Sequence, residues 1–385
     1  MDTAPIPSSV HLLTVLHSAE RTGPPLLALQ LLQWLRRTHP GWRTSTLFLD
    51  AAGELEPDFA ALGPTLMAGR LAPFGMGRRR RRAVANAAAH AVLRRRLRAW
   101  GPIDVAHVHC AGSLRVLPGL PTRTVLGHLH ELSVGLDLHL GPVARRYAAD
   151  ATRYVAVSDG VAEEFLSRVA VPPGRVERRH GFVDRSRLPT GPADRPARGL
   201  AADDLVVLSS GVRHWRKAPE LFVRIARAAA ERAPDVPWRF VWVGGQDASR
   251  LEDLVRQAGL DHLVRLLPHQ SDPMGWLVAA DIFLLPARED AFPLVCVEAA
   301  AAGLPIVTFD NGGAAELVRM AGCGAVSPFP DVDDAADQLI DLARDPARRA
   351  ALGRAGADHA HRHLLVDQAG PDLVATLVRT IEAGR

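Results

Sequence analysis

Residues 286–298 read Pro-Ala-Arg-Glu-Asp-Ala-Phe-Pro-Leu-Val-Cys-Val-Glu. From Ala291 to Phe309 the only charged residue is Glu298. A carboxylate in an apolar, alanine-packed helix needs partners, because an unpaired buried charge is costly. A ribose diol would supply two hydroxyl donors; an arginine or backbone groups inside the fold would serve equally. Pro293 suits the N1 position of a helix. The helix start then offers the N–H groups of Leu294 and Val295 and the positive end of its dipole, and both suit a diphosphate. Asp290, on the loop before, is placed to accept hydrogen bonds from sugar hydroxyls or to cap the helix. Glu289 beside it has the same chemistry. Cys296 reads as helix packing rather than a nucleophile.

A second stretch is Gly211-Val-Arg-His-Trp-Arg-Lys217. It follows one expected strand and opens a helix, so its cations stand at the carboxyl edge of a sheet, where ligands bind in open α/β folds. Arg213, Arg216 and Lys217 can there neutralise a phosphate leaving group; the alternative is a basic surface loop. Lys217 is the only lysine, and the other 45 of 46 basic residues are arginine. A site that keeps lysine in such a chain points to a need for a compact, flexible ammonium.

The first half carries sparser signals. Val10–Leu16 is a short apolar run followed by a polar loop through Thr22 and Gly23, then a helix over Leu26–Leu35, the layout of an anion-binding crevice. His107 and His109 share one strand face, as do His128 and His130. No acid or cysteine completes a tight ligand pattern around them, so no metal is expected. Cys110, Cys296 and Cys323 are widely spaced with no CxxC, against a disulfide framework or structural zinc.

Strand and helix alternate from end to end, which implies α/β architecture with parallel sheets covered by helices. Strands are expected at Ser45–Leu49, Val105–His109, Thr124–His128 and Tyr154–Val157, with Ser158 as a helix N-cap. Residues 186–203 are rich in Pro, Gly, Ala and charge and read as a linker. The pattern restarts with strands at Leu205–Ser209, Arg239–Val243, Val264–Leu267, Ile282–Leu285 and Pro305–Phe309. The division is a first Rossmann-like domain at 1–185, a second at 204–365, and a last helix within 366–385 that can cross back to the first.

At 385 residues, 48% hydrophobic and 23% charged, the chain has material for two cores. No run approaches the ~20 apolar residues of a membrane helix. The N-terminus lacks a basic segment followed by a long apolar one, so a cytoplasmic protein is expected. Residues 1–110 hold 14 Arg against 7 Asp or Glu. Arg78–Arg82 form a solid block, read either as a solvated helix face or as a peripheral contact with an anionic membrane. No aromatic residues interleave with it, so no nucleic-acid partner is expected.

These segments resemble the donor-binding domain of the retaining glycosyltransferases of family four. That family has the GT-B fold, two Rossmann-like domains whose parallel sheets face a central cleft. Its second domain carries Glu, seven residues, then Glu, with a Gly-loop-Lys motif upstream; here stand Asp290 and Glu298, and Gly211 and Lys217. Leu304-Pro-Ile-Val307 and Asn311-Gly-Gly-Ala-Ala-Glu316 fit the family's next strand and glycine turn. The first domain resembles the family more weakly, through Thr22-Gly23, Asp104–His109, His130-Glu131 and Val157-Ser158. The resemblance implies that Glu298 holds the nucleotide ribose. Asp290 or Glu289, with the backbone of Ala291 and Phe292, would hold the donor sugar. Gly211, Arg213 or Arg216, and Lys217 would bind the diphosphate, with Leu294 and Val295. His130 would sit near the reacting carbon, and Thr22 and Gly23 on the acceptor side. Two departures stand out: the first acid is Asp, and Val212 occupies the family's usual arginine position. The implied activity is retaining hexosyl transfer from a nucleotide-diphosphate sugar to an acceptor hydroxyl on a carbohydrate, lipid-linked sugar or small molecule. Polysaccharide, glycolipid or secondary-metabolite biosynthesis would use it. No metal and no cofactor beyond that co-substrate is implied. A sugar-nucleotide epimerase or a non-catalytic sugar-nucleotide-binding protein is the alternative on the same fold.

Overall fold

The structure, a computed structural model, describes residues 5–68, 79–188, 191, 194–245, 249–270 and 272–385. It divides into two compact units, Met1–His180 with Val366–Arg385, and Gly181–Leu365.

The first unit holds a seven-stranded sheet. Its strands are β1 His11–Ser18, β2 Arg43–Ala51, β3 Thr65–Met67, β4 Val105–His109, β5 Val125–Leu129, β6 Arg153–Ala156 and β7 Val176–Arg178. They lie in the order β3-β2-β1-β4-β5-β6-β7, and every pairing is parallel. Strand β1, HLLTVLHS, is buried along nearly its whole length. Such an unbroken run belongs to a parallel sheet covered on both faces. The helix Gly23–Thr38 follows β1. Ser158 caps the helix Asp159–Arg168 by accepting from the Val161 N–H.

The second unit repeats the plan with six strands: β8 Leu205–Ser210, β9 Trp238–Val243, β10 Val264–Leu267, β11 Ile282–Leu285, β12 Ile306–Phe309 and β13 Gly324–Ser327. The order is β10-β9-β8-β11-β12-β13, again all parallel. The chain leaves β8 toward one side of the sheet and returns at β11 on the other. This reversal makes the crevice at the carboxyl ends of β8 and β11 the switch point where ligands bind in this architecture. The loops that leave those ends are 211–218 and 286–293. The core beneath is aromatic: Phe222 meets Phe240 and Trp242 edge-on at 6.0 and 5.4 Å.

The segment 186–203, expected as a linker, is stitched to the second unit by arginines. Arg195 pairs with Asp281 at 2.7 Å and donates to the Asp204 carbonyl at 2.9 Å. Arg198 pairs with Asp272 at 2.6 Å and donates to the Gly275 carbonyl at 2.9 Å. The last helix, Val366–Ala383, belongs with the first unit. Its Asp367 accepts from the Trp34 indole at 2.9 Å, and Arg379 reaches Glu177 at 2.7 Å. Among the described residues no helix is long and apolar enough to cross a membrane.

Candidate functional site

The loop after β8 is built around close backbone approach. Gly211 has φ 144°, and a Cβ there would lie 3.3 Å from the Lys217 Cε. The Trp242 indole donates to the Gly211 carbonyl at 3.0 Å, and a Cβ on Gly244 would come within 2.7 Å of that oxygen. Glycine at both positions lets the lysine fold across the turn. A single 3-10 turn, Trp215–Lys217, follows, and Pro219 opens the helix to Arg232. Lys217 Nζ then stands 2.6 Å from Asp290 Oδ2, each side chain about one-fifth exposed (18% and 19%). The sequence motifs 73 residues apart thus meet in one ion pair.

The acidic loop is fastened on both sides. The Arg216 carbonyl accepts from the N–H groups of Arg288 at 2.7 Å and Glu289 at 3.4 Å. The Arg288 guanidinium donates to the Trp215 carbonyl at 3.0 Å, lies 5.7 Å from that indole and pairs with Glu220. From the β12 side, Asn311 Nδ2 donates to the carbonyls of Ala287 and Arg288 at 2.7 and 2.9 Å. The Gly313 N–H donates to the Asp290 carbonyl at 2.9 Å, and a Cβ on Gly313 would lie 2.0 Å from the Ala291 carbonyl oxygen. The Asn-Gly-Gly turn is therefore a clamp that only glycine can close.

Pro293 is the N-cap of the helix Leu294–Ala301 rather than its N1 residue. Its carbonyl already takes the N–H groups of Cys296 at 2.9 Å and Val297 at 3.4 Å. The difference of one residue from the expected N1 position matters little for the anion reading. The N–H groups of Leu294 and Val295 have no backbone acceptor among the described residues. Glu298 is buried on this helix with Arg187 3.6 Å from its Oε1. Burial raises its carboxyl to about 7, opposed by the Arg187 charge. Arg187 comes from the segment read as featureless linker. The signal for it is Asp184, whose carboxylate takes the Ser186 N–H at 2.8 Å and so fixes the turn Arg185–Arg187. Cys296 is fully buried, and burial pushes its thiol up, which suits packing and not nucleophilic attack. Asp290 thus lies on the loop just before this helix, paired with Lys217, and Glu298 lies on the helix itself.

The remaining basic residues separate. Arg213 donates to the Leu267 carbonyl at 2.6 Å and lies along Gly245, where a Cβ would sit 2.8 Å from its Cγ. Burial lowers its guanidinium. Arg216 is exposed, and its guanidinium makes no hydrogen bond or ion pair among the described residues. Glu289 is buried with interactions of its own.

In the first unit, His107 Nε2 and His128 Nδ1 are 3.0 Å apart, and His109 Nδ1 and His130 Nε2 are 3.1 Å apart. Register explains the ladder: His109 and His128 are direct partners across β4 and β5. Burial holds the imidazoles neutral, with His107 and His130 lowered to about 3 and the other two well below the ordinary value. One ring nitrogen each from His107, His109 and His128 lies within 4.8 Å of the others, a spacing a metal ion could use. Three ligating lone pairs would nonetheless require the His107–His128 hydrogen bond to break, and among the described residues His107 Nδ1, His109 Nε2 and His128 Nε2 have no acceptor of the kind metal-bound histidines normally have. Glu131 takes the N–H groups of His130 and Ala111, each at 3.0 Å. Cys110 has φ 70°, a strained value for a residue with a side chain. Thr22 is the N-cap residue of its helix without a side-chain capping bond, and its hydroxyl is buried without a hydrogen-bond partner among the described residues. A Cβ on Gly23 would meet nothing within 4 Å, so packing among the described residues does not demand glycine there. Arg78, and the side chains of Arg79–Arg82, lie outside the described residues.

Comparison with known proteins gives the family and the fold. Residues 192–359 match the family model for glycosyl transferases group 1. The D-inositol 3-phosphate glycosyltransferase of Kribbella flavida is 30% identical over 299 residues, 71% of this chain and 70% of that protein. D-inositol 3-phosphate glycosyltransferase 1 of Catenulispora acidiphila is 31% identical over 316 residues, 75% of each. Among solved structures, Anabaena HepE in complex with UDP and glucose superposes with a TM-score of 0.79 at 19% identity, covering 96% of this chain and all of that one. WaaG, a glycosyltransferase involved in lipopolysaccharide biosynthesis, superposes with a TM-score of 0.73 at 17% identity, covering 95% and 99%. Fold and sequence define a glycosyltransferase of GT-B architecture: the chain belongs to the group 1 glycosyl transferases, the family-four enzymes.

Proposed function

We propose that this glycosyltransferase moves a sugar from a nucleotide diphosphate to an acceptor hydroxyl with retention at the anomeric carbon. The observation that carries the reading is the Lys217–Asp290 pair at the switch point, beside a helix start and buried Glu298. Lys217, Arg216 and the N–H groups of Leu294 and Val295 stabilise charge on the leaving diphosphate, an effect that grows as the sugar–phosphate bond breaks. Glu298 takes the ribose hydroxyls. Asp290 or Glu289 takes sugar hydroxyls, and His130 attends the reacting carbon. Asp290 is already engaged by Lys217, so a same-face process, in which a leaving phosphate oxygen takes the acceptor proton, fits better than a covalent intermediate. HepE was captured with UDP and glucose, which makes UDP-hexoses the first donors to try.

Incubation of labelled UDP-hexose with and without acceptor tests the reading. Label on an acceptor supports it, whereas isomerised donor, or tight binding without turnover, opposes it. Chelator should leave the rate unchanged, because arginine, lysine and backbone N–H groups neutralise the diphosphate. Loss of activity that magnesium or manganese restores would show that these groups do not suffice.

Asp290→Asn and Glu289→Gln are expected to diverge. The variant at the residue facing the sugar loses turnover and still binds free UDP, because that residue would touch the donor only at the sugar. If Asp290 faces the sugar, Glu289→Gln stays near the parent rate; if Glu289 does, Asp290→Asn loses only what its hold on Lys217 contributes. Steady-state kinetics with UDP titration decides, and two silent variants would move the sugar contact elsewhere.

A further inference from the structure

We propose that His109 is a positioning residue that occupies Nε2 of His130 and leaves Nδ1 as the one ring nitrogen His130 offers to substrate. The inference rests on the reading that His130 attends the donor sugar, and it extends to a residue that no motif assigns.

The geometry is that of an in-plane ring-to-ring hydrogen bond. His109 Nδ1 and His130 Nε2 are 3.1 Å apart. Their ring planes differ by 14°, with centroids 5.3 Å apart. With the nitrogens 3.1 Å apart, the 5.3 Å centroid separation sets the rings end to end, as a nitrogen-to-nitrogen hydrogen bond requires. His130 is restrained in a second direction by the His128 ring, stacked at 4.3 Å. Its backbone is held as well, since Glu131 accepts the His130 N–H. His109 has no freedom to turn away: it is buried on β4, and the strained Cys110 follows it. The Cys110 N–H in turn donates to the His128 carbonyl at 2.8 Å.

Proton counting gives the consequence. Two neutral imidazoles hold two ring protons, and one lies in the bond between them. The other sits either on His109 Nε2 or on His130 Nδ1. His109 Nε2 is buried with no hydrogen-bond partner among the described residues, so a proton there would be an orphaned donor, the costlier kind of buried polar group. His130 is only partly buried, and a proton on its Nδ1 can meet a ligand oxygen. His109 therefore donates from Nδ1, and His130 presents an Nδ1–H donor. The charged and titratable groups around His130 are His107, His109, His128 and His17, with Glu131 next along the chain. Burial keeps all four of those imidazoles below their ordinary value.

Nitrogen-15 NMR of histidine-labelled enzyme reads the tautomer without any assay. His130 should show one protonated and one bare nitrogen, with Nδ1 carrying the proton. His109→Leu should collapse this to averaged shifts and lower kcat about tenfold with UDP affinity unchanged. His109→Asn, whose amide can donate in place of Nδ1, should recover most of the rate. A wild-type His130 that averages or carries its proton on Nε2, or a His109→Leu enzyme at parent rate, overturns the inference. His130→Ala at parent rate with a fixed wild-type tautomer would instead overturn the reading of His130 itself.

Discussion

Lys217→Ala is expected to lower turnover by about 10²–10³, the range for removing one preorganised charge-stabilising donor, while donor binding weakens less. The ammonium sits 2.6 Å from Asp290 and packs its methylenes across Gly211. Its position is thus fixed before substrate arrives, and its charge matters most when the diphosphate departs. Removing it also strands the Asp290 carboxylate, so Lys217→Ala with Asp290→Asn should lose less than the two single losses combined. Lys217→Arg keeps the charge and replaces a compact ammonium with a planar fork. The cramped space against Gly211 does not suit that fork, so only part of the rate should return. Parent activity in both single variants, with folding confirmed by circular dichroism, would reduce the lysine to a surface feature.

Glu298→Gln is expected to weaken UDP binding above pH 7 by about 1.5–3 kcal/mol, the worth of charge-assisted hydrogen bonds. The pH dependence is sharper than the affinity. Burial raises the folded-state carboxyl from the ordinary 4.5 to about 7. Between those values the folded chain holds a proton that the unfolded chain has released. Stability therefore falls as pH rises from 4.5 to about 7 and is flat beyond, a loss on the order of 3 kcal/mol if burial is undiminished. In Glu298→Gln this slope should disappear. Ribose hydroxyls need the ionised carboxylate, so UDP affinity should rise as pH climbs through about 7. Near pH 6.5 binding should release a proton, seen in calorimetry as an enthalpy that changes with buffer. Affinity and proton release equal to the parent's would end the ribose assignment.

The parallel architecture was legible because the central strands are buried and mostly apolar, β1, β9 and β12 among them. The strands that escaped, β3, β7 and β13, are three or four residues of mixed polarity, and neighbouring strands rather than intrinsic pattern define them. The site separated along similar lines. Lys217, Asp290 and Glu298 declared themselves through rarity or isolation: a sole lysine, and acids beside an apolar helix. Arg187 did not, because its contact with Glu298 lies far along the chain; His109 stood out only as one of a pair on a strand, with no role attached. An arginine among 45 carries no signal of its own. The cations also divided in a way spacing does not encode. Arg213 and Arg216 are three residues apart, yet one is spent on the Leu267 carbonyl and the other faces solvent.

A crystal structure of the chain with UDP would place the donor. The expected result puts the diphosphate within hydrogen-bond reach of Lys217 and the N–H groups of Leu294 and Val295, with the ribose hydroxyls on Glu298. A nucleotide bound elsewhere, or one that leaves the Lys217–Asp290 pair and Glu298 without contact, would contradict it.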